Sequence, residues 1–178
     1  MGIFDFFKKK KPENNFDPTA INLDSLKPGY FLDYDLKTWE VITKSHYDWD
    51  GDYSYEWQLK SSDQTIYLEQ EIDDESDWSI SNKIPIGKIG SNVTKSLQSD
   101  TPPDSISLDG LEFYLEESGG GHYYKDGKDP AREVLYWQYE NEAGDKFITL
   151  EQWGENEFEA SSSFTVEEYQ FTDITPSS

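Results

Sequence analysis

The chain has 178 residues, of which 29% are charged and 16% aromatic, and its 37 acidic against 15 basic side chains give a formal net charge of -22. It contains no cysteine, which excludes disulfides, thiolate catalysis and Cys-ligated metals. No apolar run reaches the roughly 18 residues a membrane-crossing helix needs, and the start lacks the apolar stretch and cleavage site of a secretory signal, so a cytoplasmic location is expected.

The charge is unevenly placed: residues 1 to 11 carry +3 and the rest -25. Ile3, Phe4 and Phe7 recur at helical spacing and are followed by Lys8, Lys9, Lys10 and Lys11, with Pro12 closing any helix after two turns. Two readings of this tip stay open. It is either a weak, reversible anchor to anionic headgroups at the inner membrane, or a segment whose phenylalanines tuck into the body or a partner. Residues 1–27 are read as this tip and a linker.

From Thr38 to Tyr47 the side chains alternate as in a half-buried strand, and Asp50-Gly51 predicts a tight hairpin turn. The return strand, Tyr53 to Lys60, sends Tyr55, Trp57 and Leu59 inward, and Gln64 to Glu71 sends Ile66 and Leu68 inward. Trp78 to Ser81 and Ile84 to Ile89 read as two more strands, the second an edge because of Pro85. Residues 90–103, rich in Ser, Asn, Thr and Pro, read as a joint.

The pattern then begins again. Trp57-Gln58 answers to Trp137-Gln138, and Leu68-Glu69-Gln70 to Leu150-Glu151-Gln152. Leu108 to Phe113 aligns with Leu36 to Val41; Leu111, Phe113 and Leu115 alternate with Glu112, Tyr114 and Glu116 as the apolar side of a strand, and Leu135, Trp137, Tyr139, Ile148 and Leu150 are expected to point inward. Ser118 to Pro130, with Gly119-Gly120-Gly121, reads as a mobile hairpin loop. The expected fold is all-β, with two sequence-related antiparallel units over 28–97 and 98–178, small barrels or sandwich-like lobes, packed together.

Several chemical readings can be weighed on spacing. Asp48, Asp50, Asp52 and Glu56 miss the glycine and glutamate positions of a calcium loop and are better read as a solvated turn. His46 and His122 lack a third ligand, and no metal site or cofactor is expected. Glu69 and Glu151 are read as duplicated residues on the solvent face, not as an acid/base pair. Six aromatics outside the inward set, Trp49, Tyr53, Trp78, Tyr123, Tyr124 and Trp153, lie amid acids in a mix that suits cations or basic peptides, although packing between the units accounts for most of them.

The duplicated Trp-Gln strands, the stretch Thr149 to Gly154 (Thr-Leu-Glu-Gln-Trp-Gly) and the ending Glu167 to Ile174 resemble the bacterial family known as domain of unknown function 4178, over about residues 28–175. The resemblance implies a β-rich bacterial protein without assigned activity, encoded beside membrane-stress components and polyamine-synthase-like proteins. It carries over no catalytic residue. Together with the acidic body, it leads to the expectation of a non-enzymatic binding, adaptor or sensor protein, peripheral to the inner membrane and linked to membrane stress or polyamines. Its partner should be a basic or membrane-associated protein and not nucleic acid. The alternative is an acidic inhibitor or immunity-type protein that masks a basic surface, and an enzyme with paired carboxylates is the third reading.

Overall fold

The computed structural model describes residues 21–177, and the chain there is nearly all β. A first meander consists of β1 (Phe31–Tyr34), β2 (Lys37–Trp49), β3 (Asp52–Lys60), β4 (Thr65–Ile72) and β5 (Ser76–Ile84). A second repeats it with β6 (Ser105–Leu108), β7 (Leu111–Tyr124), β8 (Arg132–Glu140), β9 (Lys146–Gly154) and β10 (Glu157–Val166), and β11 (Thr172–Thr175) returns to pair with β1. All eleven strands lie in one antiparallel sheet. The duplication is visible in the register: Trp57 stands opposite Leu68 as Trp137 stands opposite Leu150. The expected Asp50-Gly51 turn joins β2 to β3 with both residues at positive φ, 63° and 104°.

Two pairings join the repeats. β5 runs against β10 and β2 against β7, so eight of the eleven strands close into a ring. Because side chains alternate along a strand, the ring has two faces. On the first repeat one face carries Trp57, Leu59, Leu68 and Ile80, packed with Leu23, Leu26, Leu32, Val166 and Phe171. On the second it carries Trp137, Tyr139, Ile148 and Leu150, packed with Val93, Leu97 and Ile106. These are two separate apolar clusters, each on the outside of the ring under its own cover. The opposite face, with Tyr47, Glu56, Glu69, Tyr123 and Glu151, turns into the ring. The arrangement inverts an ordinary small barrel, in which apolar side chains fill the middle.

Five expectations are corrected. The chain from 76 to 84 is the single strand β5, ended by Pro85, and it is interior, between β4 and β10; Ile86–Lys88 is a 3-10 turn. The joint at 90–103 holds a short helix, α1 (Val93–Gln98), whose Val93 and Leu97, one turn apart, are buried in the second cluster. The alignment of 108–113 with 36–41 slips by two: Asp109-Gly110 turns β6 into β7 as Asp35-Leu36 turns β1 into β2, so Phe113 answers to Trp39. Gly119 to Gly121 are not a loop tip but part of β7, paired with Tyr136, Leu135 and Val134. Leu135 is 49% and Leu111 38% exposed, because they lie on their strands beyond the reach of the second cluster. Ile3, Phe4, Phe7 and Lys8 to Lys11 lie outside the described residues. Among the described residues no helix is long and apolar enough to cross a membrane.

Candidate functional site

The polar face of the ring encloses a cavity of about 450 Å³ to which all eight ring strands contribute a lining residue. Alternation dictates its chemistry. In β4, Ile66, Leu68 and Gln70 turn toward the first cluster, which leaves Glu69 and Glu71 on the inward side; in β9, Ile148 and Leu150 turn outward and Thr149 and Glu151 inward. This corrects the sequence reading of Glu69 and Glu151. The alternation was right, but the face opposite the apolar one is the lumen and not bulk water.

Among the described residues seven carboxylates line the cavity and no basic side chain does. Asp52, Glu71, Asp73, Asp77 and Glu117 stand exposed around its mouth, while Glu69 and Glu151 lie deeper. Glu56 is 7% exposed beside them, and the Tyr47 hydroxyl donates to its Oε2 over a long 3.5 Å. The acids disturb one another. Burial first, then the charges of Glu56, Glu151 and Glu71, push the Glu69 carboxyl up to about 8. Burial likewise lifts Glu151 to about 7, with Glu56 and Glu159 adding to it and Lys83 opposing. Glu56 is also raised, again chiefly by burial, and Glu71 is raised by its partial desolvation at the cavity rim, with the charges of Glu117 and Asp77 adding to it. Lys83 shares the inward face but is 42% exposed and paired with Glu159 at 2.9 Å. Burial works against its charge, yet Glu151, Glu159 and Glu56 outweigh that and raise it. Oε2 of Glu151 and Nε1 of Trp153 are out of reach of solvent and without a hydrogen-bond partner among the described residues. The indole still favours the ionised carboxylate from close by, although the pair falls short of hydrogen-bond geometry.

Aromatic rings form one wall. Tyr47 and Trp49 stack at 4.9 Å between ring centres, and Tyr136 meets Trp49 edge-on at 4.8 Å. Elsewhere the chain covers its own aromatics with its own cations. Lys44 lies 5.0 Å from the Trp57 ring, Lys83 lies 5.3 Å from Tyr67, and Arg132 lies 5.0 Å from Trp153 while pairing with Glu157 at 2.9 Å. Among the described residues none covers Tyr47, Trp49 or Tyr136. The mouth therefore joins ring faces to carboxylates with no resident cation, a combination that attracts organic ammonium or guanidinium groups. No group of three or more His, Asp or Glu side chains among the described residues is placed to hold a metal ion.

Of the aromatics singled out in the sequence, Trp49 and Tyr53 line this cavity. Tyr123 packs between Tyr47 and Trp153, at 4.8 and 5.4 Å, and links the repeats. Tyr124 stacks on His46 at 4.7 Å. Trp78 is 4% exposed in the first cluster and donates to Glu168 Oε1 at 3.0 Å, so it offers no surface to a ligand. Sequence reasoning missed Tyr47, Tyr136, Glu71, Asp77 and Glu117. The available signal was the acid recurring on the face opposite the tryptophan in both repeats, which marks a lumen once the sheet closes.

A family model described as domain of unknown function (DUF4178) matches residues 27–168. An uncharacterised protein of Aquifex aeolicus (strain VF5) is 28% identical over 189 residues, covering 99% of this chain and 99% of its own. No solved structure matches.

Proposed function

We propose, from the premise that this chain belongs to the DUF4178 family of unknown function, that it is a non-enzymatic binding protein which takes an organic polycation of the linear polyamine class into its acidic lumen. The observation that carries this reading is the lining of the cavity: seven carboxylates, the rings of Trp49 and Tyr136 with no cation over them, and no basic side chain among the described residues. Low-dielectric walls lined by one sign of charge concentrate the opposite sign. The carboxylates are spread around the mouth, which suits a ligand whose charges are themselves spaced along a chain. A sensor or adaptor role follows if occupancy changes what the body binds.

Calorimetry and thermal unfolding with spermidine test it. Spermidine should bind near one per chain, raise the melting temperature in proportion to the logarithm of its concentration, and lose affinity as salt rises. Glu71→Gln with Glu117→Gln should weaken binding about tenfold. An equal effect from magnesium chloride at matched ionic strength would reduce the lumen to general charge screening, and tight, stoichiometric binding of a tetralysine peptide in place of spermidine would favour the inhibitor reading.

A paired-carboxylate enzyme has one observation in its favour, the upward shifts of Glu69 and Glu151 inside a cavity. Chemical change in a bound polyamine incubated with the protein would decide for it. Attachment to the inner membrane is proposed on the sequence of residues 1 to 11 alone. Flotation on anionic vesicles at low salt should need Phe4, Phe7 and Lys8 to Lys11, and full-length chain that stays at the bottom of the gradient ends that idea.

A further inference from the structure

We infer that the lumen exchanges protons for its cation: Glu69 and Glu151 hold protons while the site is empty and give them to solvent as an ammonium group takes their place. The inference rests on the binding reading above and concerns how that site is regulated.

Geometry requires some such arrangement. Glu56 from β3, Glu69 from β4 and Glu151 from β9 share the inward face, with Glu69 opposite Glu56 in register and Glu151 opposite Glu159 of β10. Tyr47 faces them from β2, Tyr123 from β7 and Tyr136 from β8; Asp77 from β5 and Glu117 from β7 add negative charge at the mouth. Among the described residues the basic group that acts on all three of these acids is Lys83 of β5, already engaged by Glu159 at 2.9 Å, and Arg132 of β8, on the same face, is engaged by Glu157 at 2.9 Å. Several carboxylates this close together, sharing a cation already committed elsewhere, disfavour one another's ionisation. Oε2 of Glu151, solvent-free and unpartnered, makes the choice concrete. An ionised oxygen there has only the Trp153 indole, short of hydrogen-bond geometry, to offset its charge, which favours a proton on the carboxyl or an N–H from a ligand.

The upward shifts to about 8 for Glu69 and about 7 for Glu151 agree in sign. An acid raised this far is substantially protonated near neutrality, and a neighbouring positive charge returns it toward its ordinary value, so binding expels the proton. The step balances without any redox change. An O–H bond breaks, its proton goes to buffer, and an N–H donor of the ammonium takes the carboxylate oxygen.

The test is calorimetry of spermidine binding to the full chain in phosphate and in Tris, from pH 6 to 7.5. The apparent enthalpy should differ between buffers by the ionisation heat of about one to two protons, the larger number toward pH 6, and affinity should rise about tenfold per pH unit for each proton released. Glu151→Gln, which keeps the shape and removes the titration, should release fewer protons and flatten the profile. Should that variant fail to fold, carboxyl carbon NMR of the unaltered chain replaces it: two glutamates should titrate above pH 6 in the free protein and move down with spermidine. Binding whose heat ignores the buffer and whose affinity is flat with pH overturns the exchange and leaves the binding site standing. No binding at any pH overturns both.

Discussion

Gly121 shows how closely the two repeats are fitted to each other. A Cβ placed there would come within 2.5 Å of the Asp48 carbonyl oxygen and 2.5 Å of the Trp49 ring, and the first of these is backbone of a neighbouring strand. Gly121→Ala must therefore lift β7 from β2 or displace the indole from the lumen wall, at an expected cost of about 1 to 3 kcal/mol in urea unfolding. Gly87→Ala is the control, because a Cβ there meets nothing within 4 Å, and it should stay within about 0.5 kcal/mol of the parent. An unchanged midpoint at Gly121 would mean that Trp49 stands somewhere else. The glycine triplet reads as a loop in the sequence for a physical reason. Without side chains it shows no period, and what makes glycine necessary belongs to β2, in the other repeat. Glu69 and Glu151 were illegible in a related way. Alternation separates two faces of a strand, but which one meets water depends on whether the sheet closes.

At the scale of elements, the hairpins carry the clearest messages, and one of them is miswritten. The β6–β7 turn is Asp109-Gly110, with φ of 51° and 83°, whereas the corresponding β1–β2 turn is Asp35-Leu36, with φ of 50° and 62°. Leu36 is fully exposed, so no packing offsets the left-handed strain of a branched side chain, which is worth about 1 to 2 kcal/mol. Leu36→Gly is expected to raise stability by about 1 kcal/mol after the entropy of glycine is deducted, and Gly110→Leu to lower it by a similar amount. A Leu36→Gly chain less stable than the parent in urea would show that the side chain makes a contact the turn geometry hides. The same pair of turns explains the two-residue slip in the sequence alignment of the repeats. With no glycine at position 36 to mark the corner, the apolar residues alone decided the match. The Trp57 and Trp137 strands aligned correctly because each tryptophan faces the same neighbour, Leu68 or Leu150, across the same kind of pair.

For the whole molecule, the all-β class and the duplication could be read from the chain, since both follow from local alternation and repeated strings. The inversion of the ring could not, because it depends on the β5–β10 and β2–β7 pairings, which join residues far apart in sequence. That inversion has a consequence for stability. Burial raises Glu69 from 4.5 to about 8 and Glu151 from 4.5 to about 7, so between these limits the folded chain holds more protons than the unfolded one. Their contribution is fully present below about pH 4.5 and is lost as pH rises through 7 and 8. The empty protein should melt at a lower temperature at pH 8.5 than at pH 5.5. General repulsion within a chain of net charge -22 acts in the same direction, so the lumen's share must be isolated. Glu151→Gln should flatten the slope and raise the melting temperature at pH 8.5, whereas Glu116→Gln, which removes one exposed charge, should leave the slope nearly intact. Spermidine should restore stability at pH 8.5 more than at pH 5.5, since Glu69 and Glu151 add their carboxylates to the site only once they are ionised. Equal slopes in the two variants would assign the pH dependence to the surface and leave the lumen acids without a role in it.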